Sequence, residues 1–125
     1  MTDPTHLYAG WLLDPDQRET LLARFAPRYA MAVAHHVTLK FGDRGDAAPG
    51  EVAAEIVGAA DDGQGVQALV VAIAGSTVRP DGGTFHITWS LAEGREARES
   101  NDVIARGWDR LGEPVPIDLI PKPAD

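Results

Sequence analysis

Residues 34–42 read AHHVTLKFG, and residues 84–91 read TFHITWSL. Both stretches have the alternation of a β-strand, in which successive side chains point to opposite faces of the sheet. Each has one polar face that begins with a His-x-Thr pattern: His36, Thr38 and Lys40 in the first, and His86, Thr88 and Ser90 in the second. The opposite face of each stretch is mostly large and apolar, which is typical of a strand that packs on a core and offers its polar face to solvent or ligand. The repetition predicts a paired site.

Two imidazoles that face each other across a cleft can share acid-base work near neutral pH. One takes a proton from an attacking hydroxyl or water, and the other gives a proton to a leaving oxygen. A threonine two residues along the same strand face lies about 7 Å from its histidine by backbone rise. Both side chains can therefore touch one phosphate-sized group between the strands, which indicates phosphodiester chemistry without a metal.

The motifs His36-Val37-Thr38 and His86-Ile87-Thr88 resemble the two signatures of the 2H phosphoesterase superfamily, in which His-x-Thr or His-x-Ser occurs twice. Residues 86–101 are similar to the run after the second motif in the cyclic phosphodiesterase domain of plant-type tRNA ligases. Residues 8–13, YAGWLL, look like the opening strand of the family. The resemblance thus covers most of the chain.

The resemblance implies a bilobal α+β fold, with antiparallel sheets, two flanking helices and a central cleft, in a single domain over residues 1–125. It also implies metal-independent opening of a 2′,3′-cyclic phosphate by water, with a 2′-phosphate as product and no cofactor. His36 and His86 would be general base and general acid, in an order that the sequence leaves open. Thr38 and Thr88 would hold the nonbridging phosphate oxygens.

Three further residues are candidates for substrate binding: Lys40, Ser90 and Asn101. Lys40 shares the face of His36, but a solvated lysine at a strand end is an equal alternative. Asn101 matches an asparagine of the resembled run, although it could simply cap a helix. His35 shares the apolar face of its strand, so we expect it to be partly buried under a helix rather than to bind a metal.

Two other functions are compatible with the same residues. The chain could be a nucleotide or RNA-end binding module on this fold without turnover, although a pure binder has no need of two proton-transfer groups. Alternatively, the three histidines of the two strands could form a metal site, although no cluster of carboxylates accompanies them.

Composition sets outer limits on the function. The 125 residues, 44% hydrophobic and 24% charged, are ordinary for one globular domain. The absence of cysteine excludes disulfides, thiolate metal sites and a cysteine nucleophile. No apolar run approaches the roughly 20 residues that span a bilayer, and the N-terminus lacks the features of a signal peptide. We therefore expect a cytoplasmic protein with no membrane association.

The formal net charge of −8 argues against extended nucleic-acid binding, which usually requires a basic stripe. Positive charge is scattered over local points such as Lys40, Arg95 and Arg98. We expect a small nucleotide or the end of an RNA as the substrate. The negative charge could also serve solubility alone, and the oligomeric state stays open.

The elements predicted from the pattern are a strand at 6–13, a helix at 15–25 capped by Asp14, a motif strand at 31–42, a hairpin of 51–60 and 66–74, a motif strand at 84–91, a helix at 101–111 capped by Ser100, and a strand at 115–119. The alanines of residues 51–60 are also compatible with a short amphipathic helix, but the Asp-Gly turn that follows favours the hairpin. Gln17 stands where a capping box has Glu or Gln. The Pro-rich tail after this last strand is expected to fray.

Overall fold

A computed structural model describes residues 7–41 and 45–124. The elements in chain order are β1 (Tyr8–Leu13), α1 (Pro15–Arg24), β2 (Met31–Ala32), β3 (His36–Phe41), β4 (Ala54–Asp61), β5 (Val66–Ile73), β6 (His86–Leu91), α2 (Glu99–Ala105), β7 (Asp109–Ile117) and β8 (Leu119–Lys122). The predicted α+β class, with two helices and two antiparallel sheets, is confirmed for these residues. The predicted strand start at His6, and Gly42 at the end of the first motif, lie outside the described residues.

The two His-x-Thr strands belong to different sheets. A three-stranded sheet has the order β3-β1-β8, and a five-stranded sheet has the order β2-β6-β5-β4-β7. The predicted hairpin is confirmed as β4 and β5, which pair along nearly their whole length. The larger hydrophobic cluster draws on both sheets and on α1, with Trp11, Val37 and Trp89 almost completely buried in it. Burial of these apolar side chains holds the sheets together.

The first helix begins as the sequence predicts. Asp14 is the N-cap and accepts a hydrogen bond from the backbone nitrogen of Asp16 at 2.8 Å, and Pro15 occupies the first helical position. The predicted capping box is not formed, because Gln17 turns its amide to Asp118 near the other end of the chain. Gln17 donates to the Asp118 carboxylate at 3.1 Å and accepts from its backbone nitrogen at 2.6 Å. The helix is thereby joined to the link between β7 and β8.

The prediction of one continuous motif strand over 31–42 is wrong. The chain forms the short β2 on the edge of the five-stranded sheet, then crosses to the other sheet and continues as β3. At the crossing Ala34 has a positive φ of 44° and donates its backbone N–H to the Thr88 carbonyl at 3.0 Å. Arg18 of α1 holds the Ala34 carbonyl from the other side, with Nε at 3.0 Å. The two motif strands therefore meet at Ala34 and Thr88.

The second helix is shorter than predicted and starts earlier. It spans Glu99–Ala105 instead of residues 101–111, so Ser100 lies within the helix and is not its N-cap. Trp108 has left the helix and packs against Gly58, where an added Cβ would lie 2.2 Å from the indole ring. The following strand consequently begins at Asp109, six residues before the predicted start. Neither helix within the described residues is long and apolar enough to cross a membrane.

The C-terminal segment is part of the structure, contrary to the prediction that it frays. Strand β8 pairs with β1 in the three-stranded sheet. Ala124 is 1% exposed and donates its backbone N–H to the Asp46 carbonyl at 3.1 Å. Lys122 donates from Nζ to the backbone carbonyl of Tyr8 at 3.2 Å. The C-terminal segment is thus tied to the first strand by β8 and Lys122, and to the segment after β3 by Ala124.

Candidate functional site

The two His-x-Thr pairs line one cavity of about 1020 Å³. The three-stranded sheet contributes His36 and Thr38, and the five-stranded sheet contributes His86 and Thr88. Asn101 of α2 also lies in the lining. The cavity has the size of a small-molecule site. The structure thus brings together five of the seven candidate residues, including both histidines.

His36 is held between two rings. The ring of Tyr8 stacks on it with centroids 4.2 Å apart and an interplanar angle of 20°, and His35 Nδ1 lies 3.0 Å from His36 Nδ1. Burial, followed by the nearby positive charges of His35, His86 and Lys122 in their protonated forms, lowers the pKa of His36 to about 4. His36 is therefore neutral at pH 7. When its Nδ1 carries the proton and donates to His35, its Nε2 has a free lone pair, as a general base requires.

His35 is exposed, so the expectation that it lies partly buried under the helix layer is wrong. The backbone crossing at Ala34 precedes it, and its side chain turns back toward its neighbour instead of into the core. His35 therefore supports the ring of His36 from the solvent side.

His86 is oriented by a backbone carbonyl. Its Nδ1 lies 2.8 Å from the Thr84 carbonyl oxygen. Because a carbonyl only accepts hydrogen bonds, Nδ1 carries the proton and Nε2 is the atom that gains or loses one. Burial lowers the pKa of His86 below its ordinary value, the bond to Thr84 opposes this, and the positive charge of Arg79 lowers it further.

The two threonines differ in their hydrogen bonding. The Thr88 hydroxyl donates to the Ala97 carbonyl at 3.3 Å and shares a hydrogen bond of 2.9 Å with the buried Ser100 hydroxyl. This pair fixes the start of α2 against β6, which is the role of Ser100 in place of capping. The Thr38 hydroxyl has no hydrogen-bond partner among residues 7–41 and 45–124. Thr38 is therefore the threonine that can donate to a ligand without first breaking a bond.

A β-bulge follows the threonine in each motif strand. In the pairing of β3 with β1, Lys40 and Thr38 oppose adjacent residues, so that Leu39 is left out of the register. In the pairing of β6 with β5, Ser90 and Thr88 oppose adjacent residues, so that Trp89 is left out. A bulge of this kind changes which side chains share a face. The simple alternation therefore ends at Thr38 and Thr88.

The structure does not bring Lys40 or Ser90 to the cavity. Lys40 points outward, and its Nζ lies 3.7 Å from the Asp46 carboxylate. Ser90 is completely buried, donates to Gln67 Oε1 at 2.5 Å and accepts from the backbone nitrogen of Tyr29 at 3.2 Å. A substrate-binding role is thus not supported by the position of either side chain.

The residues that follow them, Phe41 and Leu91, line the cavity instead. Phe41 is 53% exposed, which is unusual for a phenylalanine at a strand end. An apolar ring open to a cavity is a surface on which a flat ligand group packs. The bulge thus replaces an expected lysine by an aromatic ring.

Sequence reasoning missed Arg79, which lines the cavity and is only 5% exposed. It lies in the turn between β5 and β6, for which the sequence pattern predicts no element. Its Nε donates to Asp81 Oδ1 at 2.9 Å, and one Nη2 proton points to Asn101 Oδ1 at 3.4 Å. The only signal for it is a lone arginine two residues before Asp81, which is too common a pattern to predict burial.

The lining contains arginine side chains, although the protein as a whole is acidic. Three arginines, Arg79, Arg95 and Arg98, contribute to the wall, against the single carboxylate of Glu96. Each of the three is paired with a carboxylate: Arg79 with Asp81 at 2.9 Å, Arg95 with Asp62 at 2.8 Å and Glu99 at 3.1 Å, and the highly exposed Arg98 with Glu96 at 2.6 Å. An anion in the cavity would therefore meet the N–H donors that these pairs leave open, not a net positive charge.

No protein family, curated protein or solved structure matches this chain. Within residues 7–41 and 45–124, no group of three or more histidines and carboxylates is arranged to hold a metal ion, so the three strand histidines do not form such a group. The cavity is thus lined by imidazoles and threonine hydroxyls from both sheets and by the buried, ion-paired Arg79.

Proposed function

We propose that this protein is a metal-independent phosphoesterase of the 2H type, which hydrolyses the 2′,3′-cyclic phosphate of a nucleotide or RNA end. The observation that carries the proposal is the convergence of His36 with Thr38, and of His86 with Thr88, on one cavity from two different sheets. The arginines of the lining support an anionic substrate. The bilobal 2H fold is part of the same proposal, in which each sheet belongs to one lobe.

The histidines take different roles in this mechanism. His36, whose pKa is lowered to about 4, is the general base and removes a proton from the attacking water with Nε2. The water oxygen forms a bond to phosphorus as the bond from phosphorus to the ribose 3′ oxygen breaks. His86, protonated at both nitrogens, donates from Nε2 to that leaving oxygen. The product is a 2′-phosphate, and each histidine returns to its starting state when protons exchange with solvent.

The threonines hold the nonbridging oxygens in this proposal. Thr38 donates its hydroxyl proton directly. Thr88 donates only after its proton turns from the Ala97 carbonyl to the phosphate, while Ser100 continues to donate to Thr88. Hydrogen bonds that strengthen as charge develops on these oxygens lower the barrier.

One observation favours the alternative, a binding module for nucleotides or RNA ends without turnover. The pKa values of both histidines are lowered in the ligand-free protein, so that at pH 7 the protonated acid is scarce. A bound phosphate anion opposes this effect, because an opposite charge raises the pKa of a histidine. Turnover at mildly acidic pH separates the enzyme from the binder.

The test is hydrolysis of 2′,3′-cyclic AMP, and of a short RNA that ends in a 2′,3′-cyclic phosphate, with EDTA present. We expect the parent to turn over one or both, and His36→Ala and His86→Ala each to lose on the order of 10²-fold or more in kcat. The product isomer, read by phosphorus NMR, reports which ribose oxygen leaves.

Lys40→Ala is the matched control, since Lys40 lies on the same strand as His36 but outside the cavity. It should leave kcat within twofold of the parent. If the cyclic nucleotides bind but are not hydrolysed at any pH between 4 and 8, the protein is a binding module and not a phosphoesterase. Full activity of His36→Ala or of His86→Ala would contradict the two-histidine mechanism.

A further inference from the structure

The side chain of Arg79 is built into the wall of the cavity. It is 6% exposed, and its ion pair with Asp81 has an N–O distance of 2.9 Å. Asp81 is itself fixed, because its Oδ1 accepts the backbone N–H of Gly83 at 2.8 Å. A side chain at position 83 would collide with the guanidinium, since an added Cβ at Gly83 would lie 2.6 Å from Arg79 Nη2. The absence of a side chain at Gly83 therefore leaves room for the guanidinium of Arg79 in this turn.

These contacts do not occupy all N–H donors of the guanidinium. Arginine has five N–H donors; Nε–H goes to Asp81, and one Nη2 proton goes to Asn101 at 3.4 Å. Nη1 has no acceptor among residues 7–41 and 45–124, yet no buried side-chain nitrogen in this part of the chain lacks a partner. Nη1 is therefore accessible to solvent, in a side chain that lines the cavity.

Three neighbours of the guanidinium define its surroundings. The carbon of the guanidinium lies 5.7 Å from the ring centroid of Phe41, which closes one side. Asp81 is 45% exposed and stands on the solvent side of the ion pair. The positive charge of Arg79 acts on His86, where it contributes to the lowered pKa. A cation with a free donor thus stands beside the proton-transfer group of β6.

We infer that Arg79 is a substrate-binding residue, which donates from Nη1 to the anionic phosphate group of the ligand beside His86. The inference deepens the proposed function and rests on it for the identity of the substrate. Arginine suits this task better than lysine, because its planar fork offers parallel donors to two phosphate oxygens. It also adds a fixed positive charge to a site in which the threonines supply neutral donors.

The test measures binding and turnover separately. Affinity for inorganic phosphate is measured by calorimetry at pH 6, and kcat and KM are measured with 2′,3′-cyclic AMP, for the parent, Arg79→Met and Arg79→Lys. We expect Arg79→Met to weaken phosphate binding about tenfold or more and to lower kcat/KM by a similar factor. Arg79→Lys should fall between the two. Arg28→Met, which removes a charge from a 69% exposed side chain outside the cavity, should match the parent.

Each outcome bears on a different claim. Phosphate binding and kcat/KM within twofold of the parent in a folded Arg79→Met would overturn the role of Arg79 and leave the proposed function standing. If phosphate binding depends on Arg79 but no cyclic phosphate is hydrolysed, the anion-binding role of Arg79 is supported and the proposed phosphoesterase activity is contradicted. If Arg79→Met does not fold, the inference is tested in the parent by following the NMR resonance of the Arg79 Nε–H during a titration with phosphate. This resonance should shift on addition of phosphate, and an unmoved Arg79 signal at phosphate saturation would overturn the inference.

Discussion

At the scale of single residues, the two histidines of the cavity are made unequal by what touches them. His36 is stacked on Tyr8 and bonded to His35, whereas His86 donates to the Thr84 carbonyl. The first arrangement leaves a neutral base, with a pKa of about 4. The second fixes the Nδ1 proton, so that a second proton on Nε2 is available for donation. In the proposed mechanism these neighbours make His36 the base and His86 the acid, an order that the two similar motifs leave open.

This difference predicts the pH dependence of kcat/KM. The rate constant should rise with pH as His36 loses its proton near pH 4, because the base must be neutral. It should fall again as His86 loses its proton, below the ordinary histidine value of 6.5, because the acid must be protonated. The measurement is a bell-shaped profile of kcat/KM for 2′,3′-cyclic AMP between pH 3.5 and 8, with its maximum on the acidic side of 6.5. A maximum above pH 7 would contradict the assignment.

At the scale of elements, the paired bulges decide which side chains of the motif strands reach a ligand. Period-two alternation correctly places each His-x-Thr pair on one face of its strand, but it fails two residues later. Lys40 and Ser90 are expected on the polar face, and Phe41 and Leu91 take their place. A bulge depends on the partner strand, here the register of β1 and β5, and this information is absent from the motif itself. The same holds for Arg79, whose burial depends on Asp81 and Gly83 folding around it.

Because of the bulge in β3, substitution of Phe41 should affect the ligand more than substitution of Lys40, whereas regular alternation predicts the opposite ranking. Phe41→Ala should raise KM for 2′,3′-cyclic AMP about fivefold or more, because a flat ligand group loses its packing surface. Lys40→Ala, one residue earlier, should change KM by less than twofold, since Lys40 lies near Asp46 outside the cavity. Binding of 2′-AMP by calorimetry gives the same comparison without turnover. The opposite ranking of the two variants would show that β3 keeps a regular alternation when ligand is bound.

At the scale of the whole molecule, the cavity exists because the chain closes on itself. Strand β8 lies beside β1, and the carbonyl of Tyr8 accepts from Lys122, so the wall that stacks on His36 depends on the C-terminal segment. The burial that results lowers the pKa values of His36 and His86. Because the folded protein binds protons at these histidines less readily than the unfolded chain, the free energy of unfolding depends on pH.

This linkage predicts how stability depends on pH. Between pH 6.5 and about 4 the unfolded chain binds a proton at His36 that the folded protein does not bind, so the free energy of unfolding decreases as the pH falls. A difference of one whole proton corresponds to a slope of up to about 1.4 kcal/mol per pH unit. Urea unfolding of the parent and of His36→Asn isolates the effect, because the carboxylates titrate in both. We expect His36→Asn to lose less stability than the parent from pH 6.5 to 4, and parallel curves would mean that His36 is protonated as readily in the folded protein as in the unfolded chain.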